Sequence, residues 1–132
     1  MLIKQISVFI ENKAGTVGKI IEIIGSNDIN ISALSIADTT DFGILRLIVD
    51  DPYKAAQILT ERDFVVKTTD VISIGIENKP GSLINILDTF KDNNIAIDYM
   101  YAFVNEEDNA VTILKTDDID LAVQKLVEKG IK

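Results

Sequence analysis

The chain has 132 residues, of which 47% are hydrophobic and 26% charged, and carries a formal net charge of -8. That balance belongs to folded globular proteins and not to disordered or membrane-embedded ones. The negative surplus, with no basic cluster to offset it, opposes a phosphate backbone and speaks against nucleic-acid binding. Cysteine and histidine are both absent, which removes disulfides, thiol chemistry and thiolate or imidazole metal sites. No apolar run approaches a membrane span and no signal core precedes the first strand pattern, so the expected location is cytoplasmic, away from the membrane.

From Lys4 to Ile10 the residues alternate, with Ile6, Val8 and Ile10 on one face, as in a half-buried strand. The segment Glu11-Asn12-Lys13-Ala14-Gly15-Thr16 then turns the chain. Thr16 is the expected cap of a helix whose apolar stripe is Val17, Ile20, Ile21 and Ile24. Gly25-Ser26-Asn27-Asp28 ends it, and Ile29 to Ile36 alternates again. A strand, a helix and a returning strand make a right-handed crossover, so these two strands run parallel. The turn Asp38 to Gly43 leads to an antiparallel strand, Ile44 to Val49, and Asp50-Asp51-Pro52 opens a second helix with acidic residues at its positive end. Phe64 to Lys67 gives a short fourth strand.

The same pattern begins again 66 positions on, where Glu77-Asn78-Lys79-Pro80-Gly81-Ser82 repeats the first turn. Ile72, Ile74 and Ile76 precede it. Ser82 is the expected cap, and Leu83, Ile86, Leu87 and Phe90 form the stripe that follows. Asn93-Asn94-Ile95-Ala96-Ile97 answers Asn27-Asp28-Ile29-Asn30-Ile31, and Ala110 to Leu114 answers Ile44 to Ile48, with one extra residue placed near Thr116 to Asp118. The chain stops at Lys132, where a final strand is due. The reading is therefore α+β: two ferredoxin-like βαββαβ units, residues 1–68 and 69–132, each an antiparallel sheet with its helices on one face. The two are joined side by side into one extended sheet, and the second lacks its last strand.

With E-N-K-[AP]-G-[TS]-[VL] present twice, each copy followed by an apolar helix and N-[DN]-I-x-I, the sequence resembles tandem ACT domains, small regulatory modules of amino-acid metabolism. The resemblance implies a non-catalytic protein that binds an amino acid at interfaces between units, assembles as a homodimer and regulates a partner enzyme. It implies no cofactor and no metal. The ligand-binding residues it points to are Asn12, Lys13, Ala14, Gly15, Thr16, Asn30, Ile31, Asn78, Lys79, Pro80, Gly81 and Ser82. In the serine-sensing branch the turn asparagine acts with a second asparagine eighteen positions later, a pair that Asn12 and Asn30 match; in the second copy the partner of Asn78 is Ala96. That branch also carries a histidine two positions before the turn asparagine, where this chain has Ile10 and Ile76, so the resemblance does not single out serine and implies two unequal sites.

The residues support a zwitterionic ligand on their own account. A carboxylate is attracted to the free N–H groups at a helix start, glycine leaves room for its approach, and an asparagine amide can meet either end of an amino acid. Tyr99, Tyr101 and Phe103 share one strand face, either as core or subunit interface or as the wall of a pocket for a bulky side chain. The acidic pairs at Asp50-Asp51 and Asp117-Asp118 and the run Glu106-Glu107-Asp108 lack the spacing of a cation loop and read as turns and helix starts. Two other functions fit the same fold class: an assembly module without ligand, and a small acylphosphatase-like hydrolase, which needs a phosphate-binding arginine where the turns offer only Lys13 and Lys79.

Overall fold

A computed structural model describes residues 1–11, 13–38, 41–106 and 108–131. The elements follow in the order β1 (Leu2–Glu11), α1 (Thr16–Ser26), β2 (Ile31–Asp38), β3 (Phe42–Val49), α2 (Pro52–Glu61), β4 (Val65–Glu77), α3 (Ile84–Asp92), β5 (Ile97–Glu106), β6 (Asn109–Thr116) and α4 (Ile119–Glu128). They form two compact units, one of residues Lys4–Thr69 and one of Met1–Ile3 with Asp70–Lys132. The fourth and fifth strands expected from the sequence are a single 13-residue strand, β4, whose two halves belong to different units.

In the first unit the strands lie in the order β2-β3-β1-β4. β1 and β3 are antiparallel with Ile6 opposite Leu47 and Ile10 opposite Gly43, and β2 pairs β3 with Leu34 opposite Leu47. Alternation then puts Ile6, Val8, Ile10, Leu45 and Leu47 on one face, where Ile20 and Ile24 of α1 and Leu59 of α2 close the core. The expected stripe of α1 holds for Val17, Ile20 and Ile24; Ile23, not Ile21, packs beside them. Arg46 shares the helix-free face with Ile44 and Ile48, across from Ser7 and Ser35.

The second unit repeats this with Ile72, Ile74, Ile86, Phe90, Leu114 and Leu126 as its core. Leu87, expected in the stripe of α3, stays exposed. Tyr99, Tyr101 and Phe103 lie opposite Lys115, Ile113 and Val111 and are half-buried. The strand missing from the end of this repeat is supplied by the beginning of the chain: the Ser73 N–H donates to the Met1 carbonyl at 2.7 Å, and Met1 packs against the second core. Chain order hides this exchange, because Met1–Ile3 continues the alternation of β1 without a break.

The repeats share their punctuation down to single atoms. Asn27 and Asn93 each cap the helix before them, donating from Nδ2 to the carbonyls of Ile23 and Thr89 at 2.8 Å. Asp28 and Asn94 follow in the left-handed region, at φ 59° and 54°, and Ile29 and Ile95 fold back into the core. The N-[DN]-I motif is thus a helix stop with a hydrophobic anchor. Asp51 and Asp118 cap α2 and α4 through the N–H groups of Lys54 and Leu121 at 3.1 Å.

Strand register corrects the position of the inserted residue. Ile10 faces Gly43 while Ile76 faces Ala110, so the extra residue precedes β6, in the hairpin where the β5–β6 pairing shifts between Val104 and Glu106. In that register Thr116 occupies the place of Val49. Thr116 is fully buried and its Oγ1 has no hydrogen-bond partner among the described residues. A buried hydroxyl without a partner destabilises, and valine has nearly the same shape, so Thr116→Val is expected to raise unfolding free energy by about 1 kcal/mol in urea denaturation. A loss of stability would mean that the hydroxyl is bonded after all.

Candidate functional site

Each repeat converges on its strand-to-helix turn. In the first, the Lys13 N–H donates to the Glu11 carbonyl at 2.9 Å and the Thr16 N–H to the Lys13 carbonyl at 3.4 Å; in the second, Lys79 and Ser82 make the same bonds at 3.0 and 3.4 Å. These tight bends demand a positive φ, supplied by Gly15 at 89° and Gly81 at 85°. A Cβ on Gly15 would meet nothing within 4 Å, and one on Gly81 only the Ile84 side chain at 3.6 Å. Glycine is therefore required by the backbone, and the space above it is open.

Gly15 itself stands at the cap position of α1 and Leu83 at that of α3, and neither helix has a side-chain cap. The expectation that Thr16 and Ser82 cap these helices is corrected accordingly: Thr16 begins the helix and Ser82 lies before it. The N–H groups of Thr16 and Ile84, the first of each helix, donate to the Lys13 and Gly81 carbonyls at 3.4 and 3.1 Å, and the other first-turn N–H groups are the natural attraction for an anion. Ser82 Oγ is buried and has no hydrogen-bond partner among the described residues.

The lysines of the turns pair with the glutamates two positions before them, Lys13 with Glu11 at 3.4 Å and Lys79 with Glu77 at 2.6 Å. The hydrogen bond from Lys79, together with its charge, holds the Glu77 carboxyl below the usual carboxylate range. That contact is present at neutral pH and is lost as acid protonates the carboxylate.

Pockets open on both turns. In the first unit a cavity of about 520 Å³ is bounded by Ala14, Gly15 and Thr16 of the turn together with Lys19, Asp63 and Phe64. In the second, one of about 330 Å³ lies between Asn78, Gly81 and Ser82 and the edge strand residues Ala102 and Val104. Another, of about 460 Å³, lies between Lys79, Ser82 and Asn85 and the chain end at Gly130 and Ile131. Pro80 is exposed and lines none of these. Asn12 lies outside the described residues.

Asn30 is not beside the turn of its own unit. The turn adjoins the Phe42 end of β3, whereas Ile31 lies opposite Val49 at the other end, a separation of about 23 Å along the strand. Asn30 therefore does not reach that turn from within its own unit, because α1 carries the chain back across the sheet. Ile31 packs against the first core. The Asn30 main chain exchanges two hydrogen bonds with Asp50, N–H to Oδ1 and carbonyl to N–H, both 3.1 Å, and Ala96 makes the same pair with Asp117 at 3.2 Å. Because the shared contacts use only backbone atoms at position 30 or 96, its side chain is free to differ.

Sequence reasoning passed over Lys19, Asp63, Phe9 and Phe64, all of which line the first pocket. The signal was the comparison of repeats, in which Asn85 and Gly130 answer Lys19 and Asp63. Among the described residues no group of three or more acidic side chains is placed to hold a metal ion.

Two βαββ-α units with glycine-bent turns, the second completed by the first residues of the chain, define a tandem ferredoxin-like protein. A family model described as "ACT domain pair" matches residues 1–132. Protein BT0572 of Bacteroides thetaiotaomicron is 39% identical, with a TM-score of 0.94 over 100% of this chain and 91% of that one. The chain belongs to the ACT domain pair family. The same fold occurs in the regulatory subunit of aspartate kinase from Thermus thermophilus, at TM-score 0.66, 10% identity and coverage of 97% and 96%. It occurs also in that of Thermus flavus, at 0.63, 13%, and 97% and 94%. No curated protein matches the sequence.

Proposed function

We propose that the chain is a non-catalytic regulatory protein of the cytoplasm that binds a free amino acid at its glycine turns and conveys occupancy to a partner enzyme of amino-acid metabolism. The observation that carries this reading is the second-unit pocket, where Asn78, Gly81 and Ser82 of the turn stand across from an apolar wall of β5. Polar groups at one end and apolar surface at the other suit an amino acid.

The dimer follows from the edges. β2 and β5 are edge strands, and on the helix side they leave Leu34, Ile36 and Val104 at 46%, 50% and 61% exposure. Long apolar edges invite a second chain. If two copies pair their β2 strands antiparallel about a twofold axis, the start of one β2 meets the end of the other, which brings Asn30 of one copy to the Gly15 turn of its mate. In that arrangement Asn30 would join a turn that its own unit keeps about 23 Å away.

A ligand at a hundred times its dissociation constant adds about 2.7 kcal/mol to stability, roughly 10 °C in melting temperature for a chain of this size. A thermal-shift series over the common amino acids and their 2-oxo acids is expected to show such a rise for one or a few of them. No shift with any at millimolar concentration would leave assembly through the exposed edges as the better account.

A further inference from the structure

The outer flanks of the two units share a backbone and differ in surface. Strand register aligns Ala102 with Ile36 and Val104 with Asp38, because Met100 and Leu34 each lie opposite the leucine that faces Ile72 or Ile6. The repeat of 66 residues aligns Ile84 with Gly18. In the second unit Ile84, Ala102 and Val104 line one cavity, together with Ile76, Leu83 and Ala110. All the strand positions among these lie on the helix-covered face: Ile76, Ala110 and Val104 stand in one row across β4, β6 and β5, and Ala102 stands one row below, opposite Thr112. Leu83 packs against the core of the same unit from the start of α3.

The three exchanges between the repeats act in one direction. Alanine in the place of Ile36 removes the γ- and δ-carbons from the wall and leaves a recess on β5. Valine in the place of Asp38 and isoleucine in the place of Gly18 make the rim of that recess apolar. Ile84 and Val104 are nevertheless 56% and 61% exposed, apolar surface that an apolar group lying in the recess would take out of water. The two charges at the mouth, Glu77 and Lys79, are already joined at 2.6 Å, so a charged group entering the recess would find only apolar neighbours.

We propose that the second-unit pocket selects an amino acid with a large apolar side chain, and that Ala102 is the residue that sets its size limit. The polar end of the ligand meets the turn at Asn78, Gly81 and Ser82, and its side chain lies over Ala102 between Val104 and Ile84. A volume of about 330 Å³ stands at the low end of small-molecule pockets and suits a single free amino acid. Selection against small or charged side chains follows from the walls, since the first leave the recess unfilled and the second lose their hydration without a partner. The proposal rests on the amino-acid reading above, names the side-chain class for that site, and needs no second chain.

The test is titration calorimetry of the full chain with L-leucine, L-phenylalanine, L-serine, L-aspartate and L-lysine. The expected result is that leucine or phenylalanine binds at least tenfold more tightly than the other three. Ala102→Ile installs the residue that the first unit carries in the same place at 50% exposure, so the variant is expected to retain the native circular dichroism and melting temperature. By filling the recess it should weaken leucine and phenylalanine at least tenfold, the scale of a methylene clash in an apolar pocket. Ala102→Gly deepens the recess and is expected to shift the leucine-to-phenylalanine affinity ratio toward phenylalanine, a gain that loss of folding cannot produce. Serine, aspartate or lysine binding as tightly as leucine and phenylalanine, or affinities that both variants leave unchanged, would overturn this assignment and leave the amino-acid reading intact. An absence of binding by every amino acid in the thermal and calorimetric series would overturn both.

Discussion

Phe90→Ala is expected to lower the unfolding free energy by about 3–5 kcal/mol, a large part of the stability of a protein this size. Phe90 is 1% exposed and lies on α3 among Ile72, Ile86, Leu114 and Leu126, where it is the largest fully buried side chain. In the first unit the equivalent position holds Ile24, so the second core accommodates a ring where the first has an aliphatic side chain. Truncation leaves a cavity that neighbouring strands, fixed by pairing on either side, close only in part. Urea denaturation measures the cost; a loss below about 1 kcal/mol would mean that the second core is loosely packed.

Deleting Met1–Ile3 is expected to cost about 3 kcal/mol. The deletion removes the carbonyl that accepts from Ser73 and the side chain of Met1 from the second core. A partly buried methionine contributes roughly 1–2 kcal/mol and each strand hydrogen bond about 1 kcal/mol. The second unit then has an uncovered strand edge, which favours aggregation. Hydrogen exchange gives the sharper readout: the Ser73 amide, protected in the full chain, is expected to exchange orders of magnitude faster in the shortened one. Unchanged protection at Ser73 would show that the strand exchange does not hold in solution.

Local features were legible in the sequence because their causes are local. The alternation of Ile6, Val8 and Ile10, the helical spacing of Ile20 and Ile24, and the turn chemistry of Gly15 and Gly81 each depend on residues a few positions apart. The duplicated words made the fold readable, since each repeat corrected the other. What escaped was non-local. Alternation at Met1–Ile3 says that a strand exists but not which unit it joins, and the continuity of β4 from Val65 to Glu77 was hidden by the polar stretch Thr68-Thr69-Asp70. The two helix caps failed because the left-handed glycine turn leads straight into α1, taking the cap position that Thr16 was expected to fill, while Ser82 falls one residue too early.

In the candidate site, the glycine turns were found from sequence and the ligand-facing differences between repeats were not. Ala102 looks like any small strand residue, and Ile84 like any exposed helical one. Only once both line one cavity does alanine in the place of Ile36 become a feature.

The most direct test of the amino-acid reading is to record amide ¹H–¹⁵N spectra of the full chain while the amino acid that gives the largest thermal shift is added. Gly15 and Gly81 stand at the turns and line the pockets there, so their amides report on occupancy without a side chain of their own. The expected result is saturable shifts at Gly15, Gly81 or both, together with their immediate neighbours. Spectra in which both glycine amides stay fixed while resonances elsewhere move would contradict it.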